Sequence, residues 1–137
     1  MGFDLSKDTY FGGAAMTEQE IKRGSVGISK PSHLFLSSLV QDNENYSEDR
    51  PFSSIVEAFR FAFALGYSEN KKIKSPGGKE GIAPRQFVVD DYLEILRDEV
   101  ILSGQSLGGL ISEYAEYGSQ EMSKKKSNGG SILDFFL

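Results

Sequence analysis

Cysteine is absent from the 137 residues, and with it go disulfide frameworks, thiol nucleophiles and cysteine-ligated metals. Histidine is nearly as scarce. His33 is the single one, so histidine-cluster metal sites are excluded and any imidazole chemistry rests on that ring. Tryptophan is missing too. Apolar runs stay short of the roughly 20 residues that span a bilayer, and no secretory pattern opens the chain, which points to a cytoplasmic protein with no membrane partner. Met1-Gly2-Phe3-Asp4-Leu5-Ser6 has the bare myristoylation spacing, but a bulky Phe3 beside Asp4 makes it a poor acceptor. Positive charge is in deficit, with 15 Lys and Arg against 20 Asp and Glu, a net of −5. That balance argues against a protein that coats nucleic acid and leaves room for a local basic patch.

What is present fits one domain of mainly α class, a compact bundle of about four to five helices with room for one small β element. Its centre is Phe52 to Gly66, FSSIVEAFRFAFALG, apolar nearly all round and therefore covered by neighbours. Ser54 and Glu57 have capping-box spacing at its start, and Gly66 reads as its stop. Residues 1–24 read as an irregular glycine-rich arm with a short polar helix at Thr17 to Arg23, and residues 25–122 as the helical core domain. Within that core, Ser25 to Ser29 is a candidate strand, and Ser32 to Val40 a helix opened by Pro31. His33 in its first turn is a surface or capping residue before it is a general base. Gln41 to Arg50 is an acidic loop. Val88 to Leu102 is amphipathic, with Val89, Tyr92, Leu93, Leu96 and Val100 inward, and Gly104 stops it. Asp90, Asp91, Glu94 and Asp98 read as solvated helix surface rather than a cation site, and neither metal nor cofactor is expected. A last helix runs from Leu107 to Met122.

Two windows are basic, one inside this core and one just after it. Lys71, Lys72, Lys74, Lys79 and Arg85 surround a Pro-Gly-Gly turn, and cations with free amides on a glycine-rich loop suit a phosphate backbone as well as they suit a solvated surface. The Walker spacing of a phosphate-binding loop is missing. Lys124, Lys125 and Lys126 begin a stretch, 123–130, with the composition of a flexible basic linker. It leads to an apolar peptide at 131–137, a flexible C-terminal tail whose Ile132, Leu133, Phe135, Phe136 and Leu137 are anchors for a partner's groove. The order aliphatic then paired aromatics is similar to sliding-clamp peptides, without their leading Gln. The alternative is a terminal turn packed back on the domain.

Lys30-Pro31, Pro51-Phe52, the apolar run Phe61 to Gly66, Lys79 to Ile82 and Glu113-Tyr114-Ala115 together resemble the DNA phosphorothioation-associated protein 4 family of Dnd-type defence systems, over roughly Lys30 to Met122. Those systems replace a non-bridging phosphate oxygen of DNA with sulfur. The resemblance implies an accessory role and supplies no catalytic residue, and the arm and lysine-linked tail are departures from it. The expected function is thus a non-enzymatic adaptor of a DNA-modification or anti-phage defence complex, bound to partner proteins and secondarily to DNA. Two competitors are a ribbon-helix-helix-like DNA-binding module built on Ser25 to Ser29 and a metal-dependent nuclease using Asp8, Glu20 and Lys22.

Overall fold

The computed structural model describes residues 21–43, 45–74, 79–81 and 87–136. Among them are four α-helices and one two-stranded antiparallel sheet, so the mainly helical class with a small β element holds. Strand β1 (Gly27–Ser29) runs straight into α1 (Lys30–Ser37), whose N-cap is Ser29. Helix α2 (Ile55–Glu69) follows an irregular loop, and β2 (Lys79–Gly81) returns to pair with β1, Gly27 opposite Gly81 and Ser29 opposite Lys79. A 3-10 turn (Val89–Tyr92) feeds α3 (Leu93–Ser103), α4 (Leu107–Ser127) comes next, and a second 3-10 turn (Ile132–Phe136) ends the described chain.

Local chemistry sets most of these bounds. Ser54 accepts from the Glu57 amide at 3.2 Å, as expected, while Glu57 reaches one residue further back and accepts from the Ser53 amide at 2.9 Å. Gly104, at φ +73°, closes α3 in the left-handed conformation that favours glycine. Gly66 does not stop α2. The helix continues to Glu69, and Asn70 at φ +56° supplies the left-handed cap. Helix α1 starts earlier and ends earlier than its pattern suggests, because the chain beyond it turns to pair with Phe52, Gln41 donating to the Phe52 carbonyl at 2.7 Å.

Helix α4 is the hub, packed against α1, α2, α3, β1 and both 3-10 turns. It runs antiparallel to α2 at very short range. A Cβ on Gly66 would lie 2.2 Å from the Tyr114 carbonyl oxygen, and one on Gly118 would lie 1.9 Å from that of Ala62. Glycine at 66 and 118 is what lets the two backbones approach, since interaxial distance follows from the side chains at the contact. Around that contact Phe59, Leu96, Leu107, Leu110, Ile111, Tyr114 and Met122 are buried.

Two expectations are corrected here. Ile21 to Arg23 is not helical but an irregular segment with Ile21 buried, and its Lys22 and Arg23 carbonyls accept from the Leu107 and Gly108 amides at 2.9 and 2.6 Å. It satisfies two of the orphan donors of α4. The stretch read as a flexible linker, 123–130, is helix through Ser127, with Lys124 paired to Glu121 at 2.9 Å. The arm at 1–20, with Asp8 and Glu20, lies outside the described residues, as do Arg85 and Leu137.

Candidate functional site

The lysines after α2 run alongside the middle of α4. The Ile73 amide donates to the Glu113 carbonyl at 3.1 Å, and the Lys72 ammonium donates to the Glu99 carboxylate while lying 5.5 Å from the Tyr114 ring centroid. Lys71 sits 5.9 Å from the Tyr117 ring, and Lys74 is exposed. Carboxylates accompany them. Glu69 accepts from the Tyr117 hydroxyl at 2.7 Å, Glu99 from Tyr114 at 2.6 Å and Glu113 from Gln105 at 2.8 Å. The surface is therefore of mixed sign, not a cationic stripe. Burial opposes charge on Glu99, but the bonds from Lys72 and Tyr114 outweigh it and hold its pKa below the ordinary carboxylate value. Burial and the same carboxylate push the Tyr114 phenol up, and Glu69 pushes Tyr117 up to about 12.

Lys79 belongs to β2, opposite Ser29. Lys124, Lys125 and Lys126 form the last turn of α4, where cations complement the helix dipole, and Lys125 lies 3.6 Å from Asp134. From the level of Tyr114 to Lys125 is roughly 16 Å along the axis at about 1.5 Å per residue, so the two lysine groups do not converge on one spot.

The C-terminal segment lies on the domain. Ile132 is buried, Leu133 and Phe135 are half-buried, and Phe136 is 52% exposed. The Phe136 ring is 4.8 Å from that of Phe61 and 6.5 Å from Phe52, and Phe135 is 6.4 Å from Phe61. Asp134 fixes the turn by accepting from the Ser131 amide at 3.2 Å. Of the two readings of this segment, free docking tail or turn packed back on the domain, the second is the one found, and it joins an aromatic surface that includes the outer face of α2.

Sequence reasoning missed Glu116. It is fully buried, yet ionisable, at the meeting point of β1, α1 and α4. Its Oε1 accepts from the Ser29 amide at 2.7 Å, and its Oε2 accepts from the Ser29 hydroxyl at 2.8 Å, the Ser32 hydroxyl at 2.7 Å and the Gln120 amide at 2.8 Å. Burial works against the charge, and these four donors overcome it, leaving the pKa below its ordinary 4.5. A signal existed in the sequence: Ser112, Glu116, Ser119 and Ser123 share one stripe of α4, small and polar where a solvated face would carry longer charged chains. Ser112 completes the seam by accepting from the Gly27 amide at 2.9 Å. Beside this network opens a cavity of about 330 Å³. Another, of about 340 Å³, lies between Val26, Phe87 and Val88, with the Arg23–Asp90 ion pair at 2.5 Å on its wall.

Among the described residues no three His, Asp or Glu side chains come together as a metal site, and no helix is long and apolar enough to cross a membrane. Comparison of the chain with protein-family models, with curated proteins and with solved structures gives no match.

Proposed function

We propose that this chain is a non-enzymatic, cytoplasmic accessory subunit of a prokaryotic DNA-modification or anti-phage defence complex, engaging a partner protein through the aromatic surface of Phe61, Phe135 and Phe136. The observation that carries the docking surface is Phe136, held against Phe61 and Phe52 and still 52% exposed. A large ring ordered before binding loses little entropy when a pocket closes over it, and aromatic side chains are the common anchors of protein interfaces. The resemblance of Lys30 to Met122 to the phosphorothioation-associated family supports the defence setting. A sliding-clamp partner is less well supported, because Ile132, the aliphatic member of the peptide, is buried in the chain's own core.

DNA contact is the second reading, favoured by the exposure of Lys71 and Lys74. Each lysine that faces a phosphate contributes about one unit to the salt slope of binding. The ribbon form of that reading lacks a ribbon, since β1 is buried along its whole length and paired within the chain.

The test is recovery from the host after nuclease treatment, using an N-terminal tag on the wild-type chain and on Phe136→Asp. Mass spectrometry is expected to identify DNA-modification or defence subunits with the wild type and about tenfold less with the variant, a loss of about 1.4 kcal/mol in binding, at unchanged melting temperature. Equal recovery would move the interface elsewhere on the domain. Recovery of no such subunit, with nucleic acid retained before nuclease, would replace the adaptor by the DNA-binding reading.

A further inference from the structure

The cavity beside Glu116 has a wall in which acceptors outnumber free donors, the latter being the second Gln120 amide hydrogen and the Ser123 hydroxyl. The hydroxyls of Ser29 and Ser32 and the amide nitrogen of Gln120 all donate inward to the Glu116 carboxylate, and Ser119 donates to the Ala115 carbonyl at 2.7 Å. A serine has one hydroxyl proton. Once it is committed, the oxygen has only lone pairs left to offer, and a glutamine bonded through its nitrogen retains its carbonyl oxygen as an acceptor. These four side chains line the cavity together with Ser123, Pro31 and Phe35. Behind them stands a buried carboxylate whose bonded partners among the described residues are all neutral. The N-terminus of α1 contributes a partial positive charge of about half a unit, less than the full charge of the carboxylate, and the Lys30 side chain at its first position is exposed to solvent.

We infer that this cavity is a binding site for a protonated amine or a guanidinium carried on a short apolar stem. N–H donors meet a row of acceptors, the cation sits in the field of Glu116, and Pro31 and Phe35 give the stem an apolar wall. An anionic ligand would find two donors, on Gln120 and Ser123, against the lone pairs of Ser29, Ser32 and Ser119 and the field of a buried anion. The volume of about 330 Å³ is at the small end of ligand pockets, which run from roughly 300 to 1,000 Å³, a size for a side chain or a small amine rather than a nucleotide cofactor. The same chemistry has two sources, the lysine or arginine of a partner protein and a free small amine. The inference rests on this cavity and is independent of the aromatic surface.

The test uses the isotopically labelled full chain at neutral pH, with amide chemical shifts as the readout. n-Butylammonium and ethylguanidinium are titrated as probes, and n-butanol and butyrate as neutral and anionic controls. Saturable shifts at Ser32, Gln120 and Ser123 are expected with both cations, and binding about tenfold weaker or less with the controls. Because Glu116 also holds β1 to α4, a variant there would mix binding with folding. Ser123→Leu instead fills the cavity without touching the groups bonded to Glu116, and is expected to weaken cation binding about tenfold or more at unchanged melting temperature. A short lysine peptide, its Nε-acetylated form and 1,4-diaminobutane separate the sources. Tighter binding of the unmodified peptide assigns the site to a partner's side chain, and tighter binding of the diamine assigns it to a free amine. Absence of saturable shifts, equal binding of n-butanol, or cation binding that survives Ser123→Leu would overturn the inference.

Discussion

Helix α4 meets α2 on one side and the β1–α1 corner on the other, and the two contacts are made by different means. Towards α2 it presents Gly118 and Tyr114, and the backbones approach until a single Cβ at 118 would strike the Ala62 carbonyl. Towards the corner it presents Ser112, Glu116 and Ser119, and the contact is a set of directed hydrogen bonds around one buried carboxylate. The first seam is specified by volume, the second by the count of donors and acceptors. They should fail differently: the first on adding a methyl group, the second on removing an acceptor.

The largest effect is expected at the polar seam. Glu116→Ala leaves the Ser29 amide, two serine hydroxyls and the Gln120 amide without their acceptor, and Ser29 and Ser32 are themselves buried. Hydrogen bonds to a charged group are worth about 1.5–3 kcal/mol each, and relief of the buried charge offsets part of their loss. A net destabilisation of about 3 kcal/mol should appear in urea unfolding of the full chain. A loss below about 1 kcal/mol would mean that water takes over the donors, and the seam would then be specific without being strong.

Next in size is Gly118→Ala. Helix propensity alone favours alanine by about 1 kcal/mol, but the new Cβ would stand 1.9 Å from a backbone oxygen that can move only if α2 and α4 separate. Overpacking costs about 1–3 kcal/mol, and a clash this close with backbone belongs at the upper end, so after the propensity gain a net loss of about 2 kcal/mol is expected by the same measurement. A stabilised Gly118→Ala protein would show that the helices are not locked at this distance.

The two seams also differed in how far the sequence revealed them. Apolar periodicity marked α2, α3 and α4, because a face that must be buried repeats at the helical period whatever covers it. Gly66 was misread as a stop for a tertiary reason: it lies inside α2 since α4 needs its missing side chain, and a local rule cannot distinguish a glycine that ends a helix from one that receives another. Lys124 to Lys126 were read from composition as linker, although lysine is a good helix former and Glu121 is placed to pair with Lys124. The aromatic surface was half legible. Phe135 and Phe136 stood out as anchors, while their resting place on Phe61 and Phe52 did not. Glu116 was the least legible, because Ser29 is 87 residues away along the chain and only the fold brings the two together.

The smallest expected effect separates the seams under one perturbation, acid. The Glu116 pKa is lowered in the folded protein from its ordinary 4.5, so its ionised form stabilises the fold in full above the unfolded-state value and that contribution is lost as pH falls through the folded-state value. The window thus lies on the acid side of 4.5, and the stability gap between wild type and Glu116→Gln should be widest near neutrality and close within that window. Glu99, lowered by Lys72 and Tyr114 against its burial, carries the same sign, so Glu99→Gln is the background in which to isolate the corner. Amide hydrogen exchange gives the spatial resolution. On acidification the Gly27 and Ser29 amides, bonded to Ser112 and Glu116, should lose protection before the buried turns of α2 and α4, where Gly66 and Gly118 meet backbone carbonyls, which do not titrate. Simultaneous loss at both places would mean that the polar corner and the glycine contact open as one cooperative unit, and the contrast between the seams would then be one of chemistry without independence.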